Sequence, residues 1–387
     1  MPSFSRTAAV LSAGMLVTGT LNTLLTKLQD QQCIANCDNP DPAQHQLFEQ
    51  PVWQTLNMFY GEMLCLACLY AIGLFRRRSA GNAPDAAADG YQPIPDSASV
   101  ASADASADAD ADVSADGTAG APPLKPIAGW ATLYMWLPAV CDLLGTTLMN
   151  VGLFFTSASV YQMLRGAVVV FSGLFSVVFL GHRLERFQVI SLGMVVLGVT
   201  IVGLSNVISP PAGAHSAAAA ADHSVLKAAV GVALVLGAQL FTASQFVIEE
   251  KIIRRYRLTP LRAVGLEGSF GAATVMVAIP VLHVAIGRSH PGGYFDAPVG
   301  FRQIVDNPSV WQTSIYIMLS IAMFNYFGLS VTRHLSATSR ATIDTCRTLF
   351  IWMSSLALGW EAFSWVQVVG FVILVYGTFV YNRVISL

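Results

Sequence analysis

Charge is scarce in this sequence. Asp, Glu, Lys and Arg make up 11% of its 387 residues, whereas a soluble domain carries about 25%, so an ordinary solvated surface is excluded. The formal net charge of -2 lacks the basic excess that a nucleic-acid partner needs. There is no H-E-x-x-H zinc motif, no serine nucleophile elbow and no P-loop glycine-lysine pattern, which argues against an enzyme built on any of these. Cysteine is sparse too: Cys65 and Cys68 form a C-x-x-C, but a zinc site wants two more ligands nearby. Neither a metal nor a cofactor is expected.

What remains is apolar. Hydrophobic residues supply 54% of the chain and mean hydropathy is +0.57. A helix of about 20 apolar residues crosses about 30 Å of hydrocarbon. Runs of that kind fall at 7–28, 51–75, 130–154, 159–180, 187–207, 226–248, 261–286, 310–331, 336–359 and 364–382. They predict an all-α integral membrane protein with ten transmembrane helices, the lipid bilayer its first partner. The first run continues from Ala8 to Leu28 without a basic start or a convincing cleavage site, so it reads as a span rather than a secretory signal.

Lys and Arg in short loops set orientation. With a cytosolic N-terminus the cytosolic side holds fourteen of them, including Arg76, Arg77, Arg78, Arg183, Arg186, Lys251, Arg254 and Arg255, against Lys27, Lys227, Arg288 and Arg302 opposite. Both termini are therefore expected in the cytosol. Span one then starts inside and span six outside, which makes the two halves inverted five-helix repeats. Residues 1–78 hold helices one and two, 125–210 hold helices three to five, and 225–387 form the second repeat. Between them, 79–124 is an Ala, Ser and Asp tract with eight aspartates up to Pro123 and no basic residue before Lys125. Such a tract has too few large apolar groups to offset chain entropy and reads as a disordered acidic cytosolic linker. Within it, Tyr91-Gln92-Pro93-Ile94-Pro95 is either a docking peptide or spacer.

The halves also share motifs. Leu180-Gly181-His182-Arg183-Leu184-Glu185 ends one apolar stretch and Leu358-Gly359-Trp360-Glu361 another; Ser157-Ala158-Ser159 and Ser336-Ala337-Thr338 open them. Two related bundles in lipid can rock about a site between them, exposing it to either side in turn, which is how secondary transporters work. Superposing the tripeptides is a shift of 179 residues and carries Arg165 onto Asp344, with Arg347 one turn further on the same face.

Polar groups in lipid are costly and mark solute or ion pathways. The candidates for substrate binding are Asn22, Asp142, Gln162, Arg165, Asn325, Asp344 and Arg347, with Asp142, Asp344 and Glu267 as possible proton-coupling groups. Arg165 and Arg347 fit an anionic group with Asp344 orienting them; the alternative is a structural pair between Asp344 and Arg347, which leaves Arg165 unexplained. Asp142, following Pro138, is either a proton-coupling carboxylate or a packing group. Glu62 and Glu267 fit a polar lining or a helix-to-helix hydrogen bond, while Glu249, Glu250 and Lys251 are expected to be solvated at the cytosolic interface. Cys33 and Cys37 lie in a loop predicted to be lumenal or extracellular, where a disulfide persists if it forms. Packing is the expected role of Cys65, Cys68, Cys141 and Cys346. Gly193, Gly198, Gly203, Gly370 and Gly377 allow close helix contact, at the bundle ends or in a homodimer.

The segment Thr156-Ser157-Ala158-Ser159-Val160-Tyr161-Gln162-Met163-Leu164-Arg165-Gly166-Ala167, with Phe171-Ser172-Gly173-Leu174-Phe175-Ser176, resembles the drug/metabolite transporter superfamily. It is especially similar to solute carrier family 35, subfamily F, in the branch of its sixth member. Met15 to Thr23, Leu261 to Gly268 and Leu356 to Phe363 extend the likeness in the same order. The resemblance implies ten helices in two inverted repeats, a small-molecule solute in a cavity lined by helices four and nine, and an endomembrane address, lysosome or vacuole, with the Golgi as the alternative. The long acidic linker departs from the family's shorter loop. The solute is then a small polar or anionic metabolite such as a nucleotide-linked sugar, or, with proton coupling, an amino acid, peptide or organic cation. A different class, a non-transporting adaptor acting through the linker, competes with both.

Overall fold

Proline begins three of the long helices: Pro51 opens α2 (Pro51–Ser79), Pro260 opens α7 (Pro260–Ala285) and Pro308 opens α9 (Pro308–His334). Its fixed φ suits a first turn, and its missing N–H would have found no partner there. The computed structural model describes residues 6–37, 45–79, 125–155, 161, 164–182, 184–208, 221–358 and 365–381. Its other helices are α1 (Arg6–Asp30), α3 (Trp136–Phe155), α4 (Val168–Leu180), α5 (Arg186–Ile208), α6 (Ala221–Arg255), α8 (Ala297–Asp306), α10 (Ala337–Ala357) and α11 (Trp365–Tyr381). Among the described residues, Arg6–Asp30, Pro51–Phe75, Val230–Arg255, Pro260–Ser289 and Pro308–His334 are long and apolar enough to cross a membrane. Arg165–Leu180, Arg186–Ile201 and Val368–Tyr381 are shorter apolar helices.

Three boundaries differ from the sequence reading. The 159–180 run is not one α-helix throughout: Arg165–Ala167 is a 3-10 turn leading into α4. A 3-10 stretch, Gly129–Met135, likewise precedes α3, so Pro138 lies in its first turn and not mid-helix. Helix α6 runs past 248 to Arg255, which carries Glu249, Glu250 and Lys251 into the helix.

Two repeat motifs have physical explanations. Gly181 adopts φ 71° at the end of α4, and the His182 amide donates back to the Ser176 carbonyl at 3.2 Å; glycine takes this left-handed cap without the Cβ penalty. Ser336 is the N-cap of α10, its hydroxyl accepting from the Ser339 amide at 3.0 Å. Ser157-Ala158-Ser159, Gln162 and Gly359-Trp360-Glu361 lie outside the described residues, as does the linker from residue 80 onward.

The helices pair as α1 with α9, α3 with α6, α2 with α7 and α5 with α11. In the last pair a Cβ added to Gly198 would stand 2.8 Å from the Gly370 carbonyl oxygen, so the backbones touch. The fifth-helix glycines Gly198, Gly370 and Gly377 are thus engaged within the chain, Gly377 lying against Met194 and Ser191.

The loops sort to two ends. Lys125–Pro126 pairs in parallel with Tyr256–Arg257, joining two segments expected to be cytosolic. At the other end Cys33–Ala35 pairs with Gln46–Leu47, Tyr294 donates to Glu49 at 3.0 Å and Gln50 to Gln303 at 3.0 Å. Burial, with Glu49 alongside, pushes the Tyr294 hydroxyl above its ordinary value. There Cys33 and Cys37 form a disulfide with Cα atoms 5.8 Å apart. A membrane-impermeant thiol reagent is therefore expected to label Cys33 only after reduction; labelling without reductant removes the bridge. Cys65, Cys141 and Cys346 are buried as packing requires, but Cys68 is exposed, which corrects the packing role expected of it.

Candidate functional site

Arg165, Asp344 and Arg347 converge. Arg347 holds Asp344 along one face of α10, with Nε 3.1 Å from Oδ1 and Nη2 donating to Oδ2 at 3.5 Å. The Nε approach lacks hydrogen-bond geometry, leaving Nε and Oδ1 without such a bond, so that contact is purely ionic. The Arg165 guanidinium reaches the same carboxylate from the turn before α4, Nη2 to Oδ2 3.9 Å. Two guanidinium groups thus share one carboxylate, and the group carries a net positive charge. Arg347 is the enclosed member: it also donates to the Gly19 carbonyl at 3.3 Å, and its guanidinium lies 4.6 Å over the Phe324 ring. Arg165, its side chain 18% exposed, keeps the freest donors.

Asn22 lies close along α1 from Gly19 but donates to Ser320 Oγ at 3.0 Å and the Ile317 carbonyl at 3.4 Å, tying α1 to α9. Of the other predicted site residues, Asn325, Glu267 and Asp142 belong to a second cluster. Asn325 donates to Glu62 Oε1 at 2.5 Å and Gln245 to Glu267 Oε1 at 2.9 Å. Arg340, stacked 4.0 Å over the Phe246 ring, pairs with Glu249. Asp142, which accepts from Thr146 at 3.4 Å, stands within electrostatic range of Glu62, Glu249 and Glu267. Among the described residues the predicted charged groups therefore fall into an arginine-rich group and a carboxylate-rich group, with Asn22 in neither.

Arg340 and Glu249 were not foreseen in this role. Glu249 and Glu250, expected to be solvated, are 2% and 1% exposed, because α6 continues into the interior where α10 covers its end. Glu250 accepts from the Ala337 amide at 2.6 Å at the start of α10, pairs with Arg254 at 2.7 Å and faces His182 at 3.6 Å. Burial, aided by Arg254 and opposed by Glu250, pushes the His182 imidazole below its ordinary pKa. A signal for Arg340 was present: Arg340, Asp344 and Arg347 stand at i, i+4 and i+7, one stripe of α10.

Over 376 residues the chain is 37% identical to human "Solute carrier family 35 member F6", covering 96% of this chain and 88% of that protein. It belongs to the solute carrier 35 member F6 family. The mouse protein of the same name is 35% identical over 376 residues, 96% of this chain and 87% of that one. An uncharacterized Schizosaccharomyces pombe protein is 35% identical over 374 residues, 96% of each. Residues 118–204 match the EamA-like transporter family. A solved crystal structure aligns with 98% of both chains at a TM-score of 0.54 and 11% identity, which shows a shared fold and no more. A solute carrier 35 chain is a membrane transporter of the EamA type.

Proposed function

We propose that this chain is a secondary transporter moving a small polar or anionic metabolite across an endomembrane by alternating access, as ten transmembrane helices in two inverted repeats. The observation that carries the solute class is the excess of guanidinium over carboxylate at Arg165, Asp344 and Arg347. A guanidinium offers fixed, always-charged donors that match carboxylate or phosphate oxygens.

The helix pairing supports the inverted repeat. Equating each helix of the first half with its counterpart in the second exchanges α1–α9 with α6–α3 and returns α2–α7 and α5–α11 to themselves. Such an exchange is what a two-fold relation between the halves gives, and the inverted orientation inferred from loop charge would lay its axis in the membrane plane. The lysosomal or vacuolar address and cytosolic termini follow from the family resemblance and loop charge. A homodimer would need a surface other than the engaged glycine faces; the apolar groove beside Leu349, Trp352, Phe371 and Val375 is suited to lipid.

A proton-coupled exporter of amino acids, peptides or organic cations is the second reading, favoured by the buried carboxylates. Uptake into proteoliposomes from a panel of nucleotide sugars, amino acids and organic ions, with and without a pH gradient, separates the two; saturable uptake of an anion supports the first. The adaptor reading is tested by deleting residues 79–124. A transporter is expected to keep most of its uptake without the linker, whereas an adaptor shows no solute uptake in the intact protein and loses its function with the linker. A tag in that linker and one after Leu387 are both expected to be reached from the cytosol, with 287–309 protected in sealed vesicles. Cytosolic access to 287–309 overturns the ten-helix reading.

A further inference from the structure

The second buried cluster is not needed for holding an anion. Glu62, Glu249 and Glu267 are 1%, 2% and 4% exposed, and Arg340 is 2% exposed. They come from α2, α6, α7 and α10, with Asp142 from α3 and Asn325 from α9 alongside. Four carboxyl groups against one guanidinium give a net charge of -3 if all are ionised. A bare charge in this environment costs at least several kcal/mol, so the group relieves itself by taking up protons. The hydrogen bonds leave capacity for that. Asn325 occupies Oε1 of Glu62, while Oε2 is buried with no partner, as is Nε of Arg340.

The cluster and the Arg165, Asp344 and Arg347 group share a helix. Arg340 is one turn before Asp344 and two before Arg347 on the same stripe of α10, and Glu249 is its carboxylate partner. We propose that Glu62, Glu249 and Glu267 form a proton-loading site whose charge state is read by Arg340 and passed along α10 to Asp344 and Arg347. This rests on the transporter reading and adds its coupling ion. In the loading step a carboxylate oxygen takes a proton from hydronium on one side, which leaves as water, and becomes a neutral acid. Arg340 then loses attraction to the cluster, and α10 is freed to shift. Return of the proton to the other side restores the pair. No bond other than O–H forms or breaks.

The titratable and charged groups facing this site are Cys65 on α2, Asp142 and Cys141 on α3, and Arg340 on α10. Interacting carboxyls titrate as a unit, so removing one should reshape the whole curve.

The test is infrared difference spectroscopy of the full-length protein in lipid nanodiscs, titrated from acid to mildly alkaline pH with no solute added. The wild type is expected to show a protonated-carboxyl band from a water-excluded environment that titrates with pH. Glu62→Gln and Glu267→Gln should each reduce and reshape it, while Asp306→Asn, on the exposed end of α8, leaves it unchanged. Glutamine keeps an oxygen for the amide donors of Asn325 and Gln245, so both variants are expected to fold; melting temperature checks this. The readout for Arg340 is Arg340→Lys, a compact charge that cannot keep the same geometry: it should retain the band but lose the effect of a pH gradient on uptake of whichever panel solute is carried. Absence of a titrating band in the wild type, an identical titration in Glu62→Gln and Glu267→Gln, or a pH-gradient effect unchanged in Arg340→Lys overturns the proposal. If no panel solute is carried, the transporter reading fails while the infrared result stands by itself.

Discussion

Arg165→Ala is expected to abolish solute uptake and leave the protein folded. The Asp344 carboxylate keeps Arg347 as its nearer partner, at 3.1 Å against 3.9 Å for Arg165, so truncation strands no buried charge. What it removes is a charge-assisted donor to the solute, about 1.5–3 kcal/mol, or about one to two orders of magnitude in affinity, and more if the contact tightens during translocation. The outcome contrasts with changes at its neighbours. Arg347→Gln leaves Asp344 with one distant guanidinium, and Asp344→Asn leaves two cations together, so both lower the melting temperature; combining them restores much of it. Uptake and thermal stability measured together on the four variants decide between a binding site and a structural pair. Normal uptake by Arg165→Ala, with stability recovered only in the double variant, would sink the binding-site reading.

The largest loss of stability is expected from Arg340→Gln. The side chain is enclosed on every side: its guanidinium pairs with Glu249, stacks on Phe246 and lies against Gly328, where an added Cβ would come within 2.9 Å of Nε. Breaking a buried pair by deleting one partner costs about 3–5 kcal/mol, while replacing both with neutral groups is often close to neutral. Thermal melting in detergent should therefore fall sharply for Arg340→Gln and recover in Arg340→Gln combined with Glu249→Gln. A single variant that melts with the wild type would show that the carboxyls need no guanidinium.

The meeting of Arg165, Asp344 and Arg347 was legible before any coordinates because it follows from a repeat: two tripeptides in register carry one charge onto the height of another. The helical, membrane-embedded character was legible from apolar run length. What could not be read was which polar groups share an enclosure. Asp142 and Asn325 were candidates for the arginine group, yet Asn325 donates to Glu62 and Asp142 lies within electrostatic range of Glu62, Glu249 and Glu267, because the rotation of α3 and α9 is set by packing that no single helix encodes. Glu249 and Glu250 looked solvated since two adjacent acids and a lysine usually end a span. They are buried because α6 continues another two turns under α10.

The contact between α5 and α11 sets where the molecule can and cannot give. Side chains packed on side chains can exchange rotamers and slide, but at Gly198 two main chains lie against each other with nothing between them to rearrange. In the alternating-access cycle proposed above, that seam would serve as a fixed spine. Joined there, the halves of the proposed transporter would be left mainly to tilt, like the covers of a book, and the displacement of any residue would grow with its distance from the binding edge. A substitution as small as Gly198→Ala would thus act on every helix beyond the seam by changing the angle at which the covers meet.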